Sequence, residues 1–280
     1  MNLILSGPID DALENAVVAI ARPRSVLPLH ARARRLEKIE ATPDVRLRVA
    51  ALCDSARVDH AFTNSAPGFG GVGMIAMDMD STLITIECID EIADFVGKKK
   101  EVSKITELTM RGEIKNFAES LRKRVALLAG ADADVLRRVF EERLELSPGA
   151  RELISTTKAA NAYALLVSGG FTYFTERLVD DLNLDVGFAN KLEVVNGKLT
   201  GRLLEPILGS AEKAQIVLEW MKAWNQTSDR VLVVGDGAND IPMMNLVLNS
   251  VAYHARAAVI EAASHAVRFG SLTTVVDFFS

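Results

Sequence analysis

Two carboxylates, Asp78 and Asp80, stand one residue apart in Asp78-Met79-Asp80-Ser81-Thr82, directly after the apolar run Gly73-Met74-Ile75-Ala76-Met77. A run this short reads as a buried strand, which carries both acids to the end of a sheet, where α/β folds keep their sites. Acids held together there can bind a hard cation, divide acid and base work, or supply a carboxylate nucleophile. They can also simply form a turn or cap the next helix. A second apolar run, Val231-Leu232-Val233-Val234, ends in Gly235-Asp236-Gly237-Ala238-Asn239-Asp240, adding two acids and an amide after a strand. If the two strands are neighbours, four acids converge, and such a cluster calls for a divalent cation; oxygen ligands favour Mg²⁺.

Two further features suit an anion. Ala164-Leu165-Leu166-Val167 leads into Ser168-Gly169-Gly170-Phe171 and then a helical pattern through Glu176, Arg177 and Leu178. This reads as strand, small-residue turn and helix N-terminus, a place where backbone N–H groups meet a phosphate, although a ligand-free turn has the same sequence. Lys213 lies in the first turn of a helix with Ser210 as its expected N-cap. A cation there opposes the helix dipole; a nearby phosphate would explain the placement, and a solvated lysine is the plain alternative.

The elements that must position these groups are legible in outline. From about Asp90 to Ser147 apolar residues recur at helical spacing: Ile92, Phe95 and Val96; Val102, Ile105 and Leu108; Phe117, Leu121, Val125 and Leu128; Val135 and Val139. A helical bundle inserted between the first and second motifs makes a lid, with hinges expected near Glu87 and Pro148-Gly149. Arg124 belongs to the basic run Arg122-Lys123-Arg124, by default a solvated face, yet it shares a stripe with Phe117 and Leu121. That placement suits a guanidinium clamping a carboxylate. Glu87 is an acid in apolar company, or a first-turn acid of the next helix. The first seventy residues alternate strand, helix and strand (Leu3 to Leu5, Asp10 or Asp11 to Ile20, Val26 to Leu29, Val45 to Leu52, Ala61 to Thr63), which predicts a small α+β module of ferredoxin-like size. Its basic residues Arg32, Arg34, Arg35 and Lys38 read as a solvated face.

In this order and after these strands, Asp78-x-Asp80-x-Thr82, the Ser168 turn, Lys213 and Gly235-Asp236-Gly237-x-Asn239-Asp240 resemble the four motifs of the haloacid dehalogenase superfamily. Glu87-x-x-Asp90-Glu91, Met110-Arg111-Gly112 with Asn116 to Val125, Val167 to Phe171, and Phe188-Ala189-Asn190 look like its phosphoserine phosphatase family. The resemblance covers residue 73 onward. It implies a Rossmann-like parallel-sheet core with an inserted helical cap at about 88–147, a catalytic domain over 71–280, and an N-terminal ferredoxin-like or ACT-like module over 1–70.

It further implies roles: Asp78 as the nucleophile that takes the phosphoryl group, and Asp80 as general acid and then base. Mg²⁺ would be held by Asp78, the backbone carbonyl of Asp80 and Asp236, with Asp240 behind them or bound through water and Thr82 in support. Ser168, Gly169, Gly170 and Lys213 would hold the transferring oxygens and Asn239 the substrate. In the family Glu87 meets the substrate ammonium and Arg124 its carboxylate, while Met110 and Phe117 close over the ligand. The substrate so implied is O-phospho-L-serine, hydrolysed in the final step of serine biosynthesis; another small phosphorylated amine or amino acid is the alternative.

Other classes are disfavoured. Gly68-Phe69-Gly70-Gly71-Val72-Gly73 fits a dinucleotide pattern but precedes its strand, so a flexible linker following Pro67 is expected. Ser210-x-x-Lys213 echoes a serine-lysine hydrolase spacing without the companion motifs. A net charge of −5 argues against nucleic acid. No run approaches the ~20 apolar residues of a membrane span, which argues against an ion-pumping ATPase, and the N-terminus lacks the pattern of a signal peptide. Two cysteines, Cys53 and Cys88, without metal spacing, fit a reducing cytoplasm. A homodimer is left open.

Overall fold

The structure, a computed structural model, describes residues 1–64, 68–110, 113–114 and 116–280, with only the backbone of Met110. Pro67, Arg111 and Gly112 lie outside the described residues.

Residues 2–63 form β1 (Asn2–Ser6), α1 (Asp11–Ala21), β2 (Ser25–His30), β3 (Ala33–Glu37), α2 (Pro43–Ala56) and β4 (Asp59–Thr63). The Asp10 carboxylate caps α1 by accepting from the Leu13 N–H, and Thr42 caps α2 in the same way through Val45, with Pro43 following where its missing N–H costs nothing. The strands make an antiparallel sheet in the order β2-β3-β1-β4, the β-α-β-β-α-β arrangement of a ferredoxin-like module. Alternation decides its two faces: Leu3 and Leu5 pack under α1 and α2 with Val17, Val49 and Cys53, whereas Ile4 and Ala61 join the core of the rest of the molecule.

Strand β3 was not expected, because its Ala-Arg-Arg-Leu-Glu sequence reads as a charged surface. The solvated reading of the basic stretch also fails in part. Arg35 is buried, donates to the Ser280 carbonyl at 2.5 Å and faces Glu37 at 3.4 Å, while Arg34 pairs with Glu14 at 2.8 Å. Chain-terminal backbone, an acid two residues on in the same strand and an acid of α1 supply what water would have supplied.

The remainder is built on β5 (Met74–Met77), four helices α3 (Cys88–Phe95), α4 (Lys99–Met110), α5 (Phe117–Ala126) and α6 (Asp134–Glu142), then α7 (Ala150–Ala159), β6 (Tyr163–Phe171), α8 (Thr172–Leu182), β7 (Val186–Val195), β8 (Lys198–Leu204), α9 (Ser210–Ala223), β9 (Val231–Gly235), α10 (Ile241–Met244), β10 (Asn249–Tyr253), α11 (Ala257–Ala262), β11 (His265–Val267) and α12 (Thr273–Phe278). The seven strands run in the order β11-β10-β9-β5-β6-β7-β8, and all neighbours are parallel except β7 with β8. Chain order climbs away from β5 on one side through β6, then restarts on the other side at β9. The junction of β5 with β9 is therefore the switch point of a doubly wound sheet, where a crevice opens at the carboxyl ends.

The strands around this point are apolar on both faces. Ile75, Met77, Leu166 and Val234 pack on one side, Met74, Ala76, Leu165 and Val233 on the other against Val217 and Met221 of α9. Helices α3 to α6 arise between β5 and β6. The segments that leave and re-enter the sheet bind one another through Thr85 N–H to Glu145 O at 2.9 Å and Ser147 N–H to Leu83 O at 2.9 Å.

The glycine-rich segment before β5 is not a free linker. Phe69 and Val72 are buried in the main core and 69–71 form a short helical turn, so the apolar residues among the glycines anchor it.

Candidate active site

The two acid-bearing strands are neighbours: β5 lies between β9 and β6, with Met77 opposite both Val234 and Leu166. Three strand ends therefore deliver Asp78, Asp236 and Ser168 to one crevice. After Asp78 the chain makes one wide turn over 79–83 in which Ser81 takes a left-handed φ of +56°, sending the backbone back past the strand end. Thr82, fully buried, donates its hydroxyl to Asp236 Oδ1 at 2.9 Å and ties this turn to the β9 loop.

Carboxylate oxygens of Asp78, Asp236 and Asp240 lie within 4.8 Å of one another. The Asp80 carboxylate points elsewhere: its Oδ1 accepts the Cys88 N–H at 3.1 Å, at the N-terminus of α3. The expected metal role of Asp80 runs through its backbone carbonyl, so a turned-away side chain leaves that role open and frees the carboxyl for proton transfer. Asp240 is already engaged. It accepts from Lys213 Nζ at 2.6 Å on one oxygen, and from the Asp236 and Gly237 N–H groups at 3.2 and 3.0 Å on the other. A metal ion would meet Asp78 and Asp236 with fewer bonds to displace, with Asp240 bracing the site from behind.

Lys213 is completely buried, its ammonium 2.8 Å from Asp78 Oδ2 as well as 2.6 Å from Asp240. Gly209, not Ser210, is the residue before α9; Ser210 opens the helix, and Glu212 accepts the Gly209 N–H at 2.9 Å. The helix thus starts one residue earlier than its cap residue suggested, and the first-turn glutamate reaches back to the N–H of the residue before it. Burial alone would lower the Lys213 ammonium, but Asp240 and Asp78 outweigh it and hold it above the ordinary lysine range.

The acids are raised as well, which for them favours the neutral form. Burial, then the charge of Asp240, pushes Asp78 well above the usual carboxylate range against the pull of Lys213. Burial raises Asp80 to about 6 against its bonds from Cys88, and burial with Asp240 raises Asp236 to about 6. Carboxylates crowded out of water at one point are under-neutralised, and the oxygen-only donor set fits a hard divalent cation.

The Ser168 segment is not a turn. Strand β6 continues through Gly169 and Gly170 to Phe171, with an irregular register against β7, and α8 begins at Thr172. Ser168 Oγ accepts the Gly170 N–H at 2.8 Å. Both glycines are required by space: a Cβ on Gly170 would lie 2.5 Å from Asp80 Oδ2, and one on Gly169 would lie 2.9 Å from the Phe117 ring. Phe117, the first residue of α5, thus lies over this loop and also close to Gly209, bringing the helical insertion down onto the crevice. Asn239 is half-buried beside Gly237 in the β9 loop.

Asn190 was missed as a positioning residue. Fully buried, it donates to the Gly169 carbonyl at 3.0 Å and to the Leu208 carbonyl at 3.1 Å, and accepts from the Leu208 N–H at 2.7 Å. One amide thereby joins the Ser168 loop to the entry of the Lys213 helix. The sequence offered it only within Phe188-Ala189-Asn190, a segment quoted for the family resemblance without a role for the amide.

Two further residues belong with these groups, Glu87 at the start of the insertion and Arg124 within it. Glu87 accepts from Ser81 Oγ at 2.8 Å and is raised to about 7 by burial and then by Asp80. Arg124 is half-buried on the stripe shared with Phe117 and Leu121, while Arg122 and Lys123 are exposed and paired with Glu205 and Glu119. Burial lowers Arg124 against the opposing charges of Asp90, Glu87 and Asp80. The side chain of Met110 lies outside the described residues.

Residues 75–245 match the model of the haloacid dehalogenase-like hydrolases. Over 210 residues the chain is 47% identical to phosphoserine phosphatase of Albidiferax ferrireducens, covering 74% of this chain and 89% of that one. The chain belongs to the phosphoserine phosphatase family of haloacid dehalogenase-like hydrolases. Among solved structures, the unliganded probable phosphoserine phosphatase of Vibrio cholerae superposes with a TM-score of 0.85 at 34% identity, over 99% of this chain and 85% of that one. A hydrolase of the same superfamily from Salmonella enterica serovar Typhi superposes with a TM-score of 0.90 at 27% identity, over 100% and 98%. Both cover the N-terminal sheet as well as the catalytic core. Among the described residues no helix is long and apolar enough to cross a membrane.

Proposed function

We propose that this member of the phosphoserine phosphatase family hydrolyses O-phospho-L-serine to L-serine and phosphate with Mg²⁺, as the last step of serine biosynthesis in the cytoplasm. Residues 71–280 would be the catalytic unit, 88–147 its lid and 1–70 an attached module. The observation that carries the substrate assignment is Arg124. Its Nε is shut off from solvent without a hydrogen-bond partner among the described residues, while Glu87 stands close enough for the two charges to act on each other. A cation and an acid held apart over a phosphate crevice complement an amino acid zwitterion.

Asp78 attacks phosphorus in line as the carboxylate, forming an acyl phosphate as the P–O bond to serine breaks. Asp80, which holds a proton more readily than an ordinary carboxyl, gives it to the leaving serine oxygen. The resulting Asp80 carboxylate then takes a proton from water as that water attacks the phosphorus, releasing phosphate and restoring Asp78. Lys213, Ser168 and the Gly169 N–H hold the transferring oxygens, and Phe117 excludes bulk water. Asp78, Asp236 and the Asp80 carbonyl, with Asp240 behind, would hold Mg²⁺, which when bound would supply the charge neutralisation that lets a carboxylate approach a phosphate.

The test is phosphate release from O-phospho-L-serine, phosphoethanolamine and an aryl phosphate, with Mg²⁺ or EDTA, by the wild-type protein and Arg124→Ala. A Mg²⁺-dependent preference for phosphoserine that Arg124→Ala erases by about 10- to 100-fold supports the reading. Equal use of all three by the wild type would leave a phosphatase of another substrate.

A further inference from the structure

Asp90 has no part in the chemistry above, yet it carries the largest opposing charge acting on Arg124, ahead of Glu87. It sits in the first turn of α3, three residues after Glu87, with its N–H bonded to the Glu87 carbonyl at 3.0 Å. Its Oδ1 is shut off from solvent and has no hydrogen-bond partner among the described residues, which is also true of Arg124 Nε. A buried acceptor and a buried donor, each without a partner, are costly features that native structures seldom keep without a use.

We propose that Asp90 is the positioning residue for Arg124: its carboxylate takes the Nε side of the guanidinium, so that the two terminal nitrogens face the substrate carboxylate. This inference rests on the phosphoserine reading above. Charge alternation supports it. Asp90, Arg124, the substrate carboxylate, the substrate ammonium and Glu87 form a series in which every neighbour has the opposite sign, whereas without Asp90 the half-buried guanidinium would wait for substrate with Glu87 as its strongest opposing charge, and Glu87 is the group the ammonium needs. An arginine fixed on one edge also loses less side-chain freedom when it binds.

The experiment compares Asp90→Ala with Arg124→Ala and the double variant on O-phospho-L-serine, phosphoglycolate, which has the carboxylate without the amine, and phosphoethanolamine, which has the amine without the carboxylate. Asp90→Ala is expected to raise KM about 10- to 100-fold for the two carboxylate substrates, with kcat within about 3-fold and phosphoethanolamine unchanged. It should add little to Arg124→Ala in the double variant. Asp90→Glu should recover part of the loss, and Asp90→Asn serves in the same comparison if the alanine variant does not fold. Loss on phosphoethanolamine equal to that on phosphoserine would overturn the proposal, as would full additivity. If Arg124→Ala itself fails to discriminate against carboxylate substrates, the clamp reading falls and this inference with it; if Arg124→Ala discriminates and Asp90→Ala does not, this inference alone falls.

Discussion

Asp59 and Asp78 are both almost completely buried aspartates beside strands, at the start of β4 and the end of β5 respectively, and they are satisfied in opposite ways. Asp59 receives the backbone N–H groups of Arg268 at 2.7 Å, Phe269 at 3.2 Å and Gly270 at 2.6 Å, in a segment that closes over the N-terminal sheet. Asp78 receives one backbone N–H, from Met79 at 2.6 Å, and the Lys213 ammonium, with two further acids beside it. A ring of neutral donors stabilises a charge that has nothing to do but stay in place. A carboxylate short of donors and crowded by like charge has reactivity left over for a substrate and a cation. The count of donors around a buried acid, more than its burial, separates the joint from the active site.

The sharpest way to break this comparison is to neutralise each acid in turn. Asp78→Asn should abolish Mg²⁺-dependent phosphate release, by about 10⁴-fold or more in kcat, since the nucleophile is removed. The same change should leave the midpoint of thermal unfolding within a few degrees of wild type, because it also relieves repulsion with Asp236 and Asp240. Retained metal-dependent turnover would remove Asp78 from the role of nucleophile.

Asp59→Asn should do the reverse. Its amide nitrogen must face one of the N–H groups that the carboxylate accepted, and a lost charge-assisted bond at a buried site costs about 1 to 3 kcal/mol. Denaturant unfolding should show that loss, with kcat at 25 °C close to wild type. The joint is shared with Ser6, which donates to Asp277 at 2.5 Å, with His30, 2.8 Å from the same carboxylate, and with Arg268 bonded to Asp54, so a single change weakens it without freeing the module. A fall in kcat matching the Asp78 variant would show that the two regions are not separable.

What the sequence made legible follows the same division. The crevice could be read because its groups are odd for their places: acids after apolar strands and a lysine where the helix dipole disfavours it. The turn of β6 was misread because extended backbone through Gly169 and Gly170 depends on Asp80, Met79 and Phe117 crowding the loop from distant parts of the chain. Strand β3 and buried Arg35 were misread because their partners are Leu36 against Leu3 on a neighbouring strand and the carbonyl of Ser280, 245 residues away. Asn190, named in the resemblance, was given no role for a similar reason, since its bonds join Gly169 and Leu208 and neither is a sequence neighbour. Local signals report local strain; satisfied long-range pairs leave no local trace.

The smallest expected effect tests the cause of the difference rather than its consequence. Asp80 and Asp236 at about 6 and Glu87 at about 7 all stand above their unfolded values, so the folded state binds protons more tightly than the unfolded chain. Their contribution to stability is therefore fully present below about pH 4 and is lost as pH rises through 6 to 7. In EDTA the unfolding midpoint of the protein should fall between pH 5 and pH 8 by a few degrees beyond what the rest of the molecule imposes. Replacing Asp236 with Asn, which removes one of the crowded charges, should flatten that fall, and Asp59→Asn, which touches none of them, should leave its slope intact. Added Mg²⁺ should raise the midpoint more at pH 8 than at pH 5, because protons and the cation compete for the same carboxylates. A slope that Asp59→Asn changes and Asp236→Asn does not would place the unbalanced charge at the joint, and the contrast between the two acids would have to be reversed.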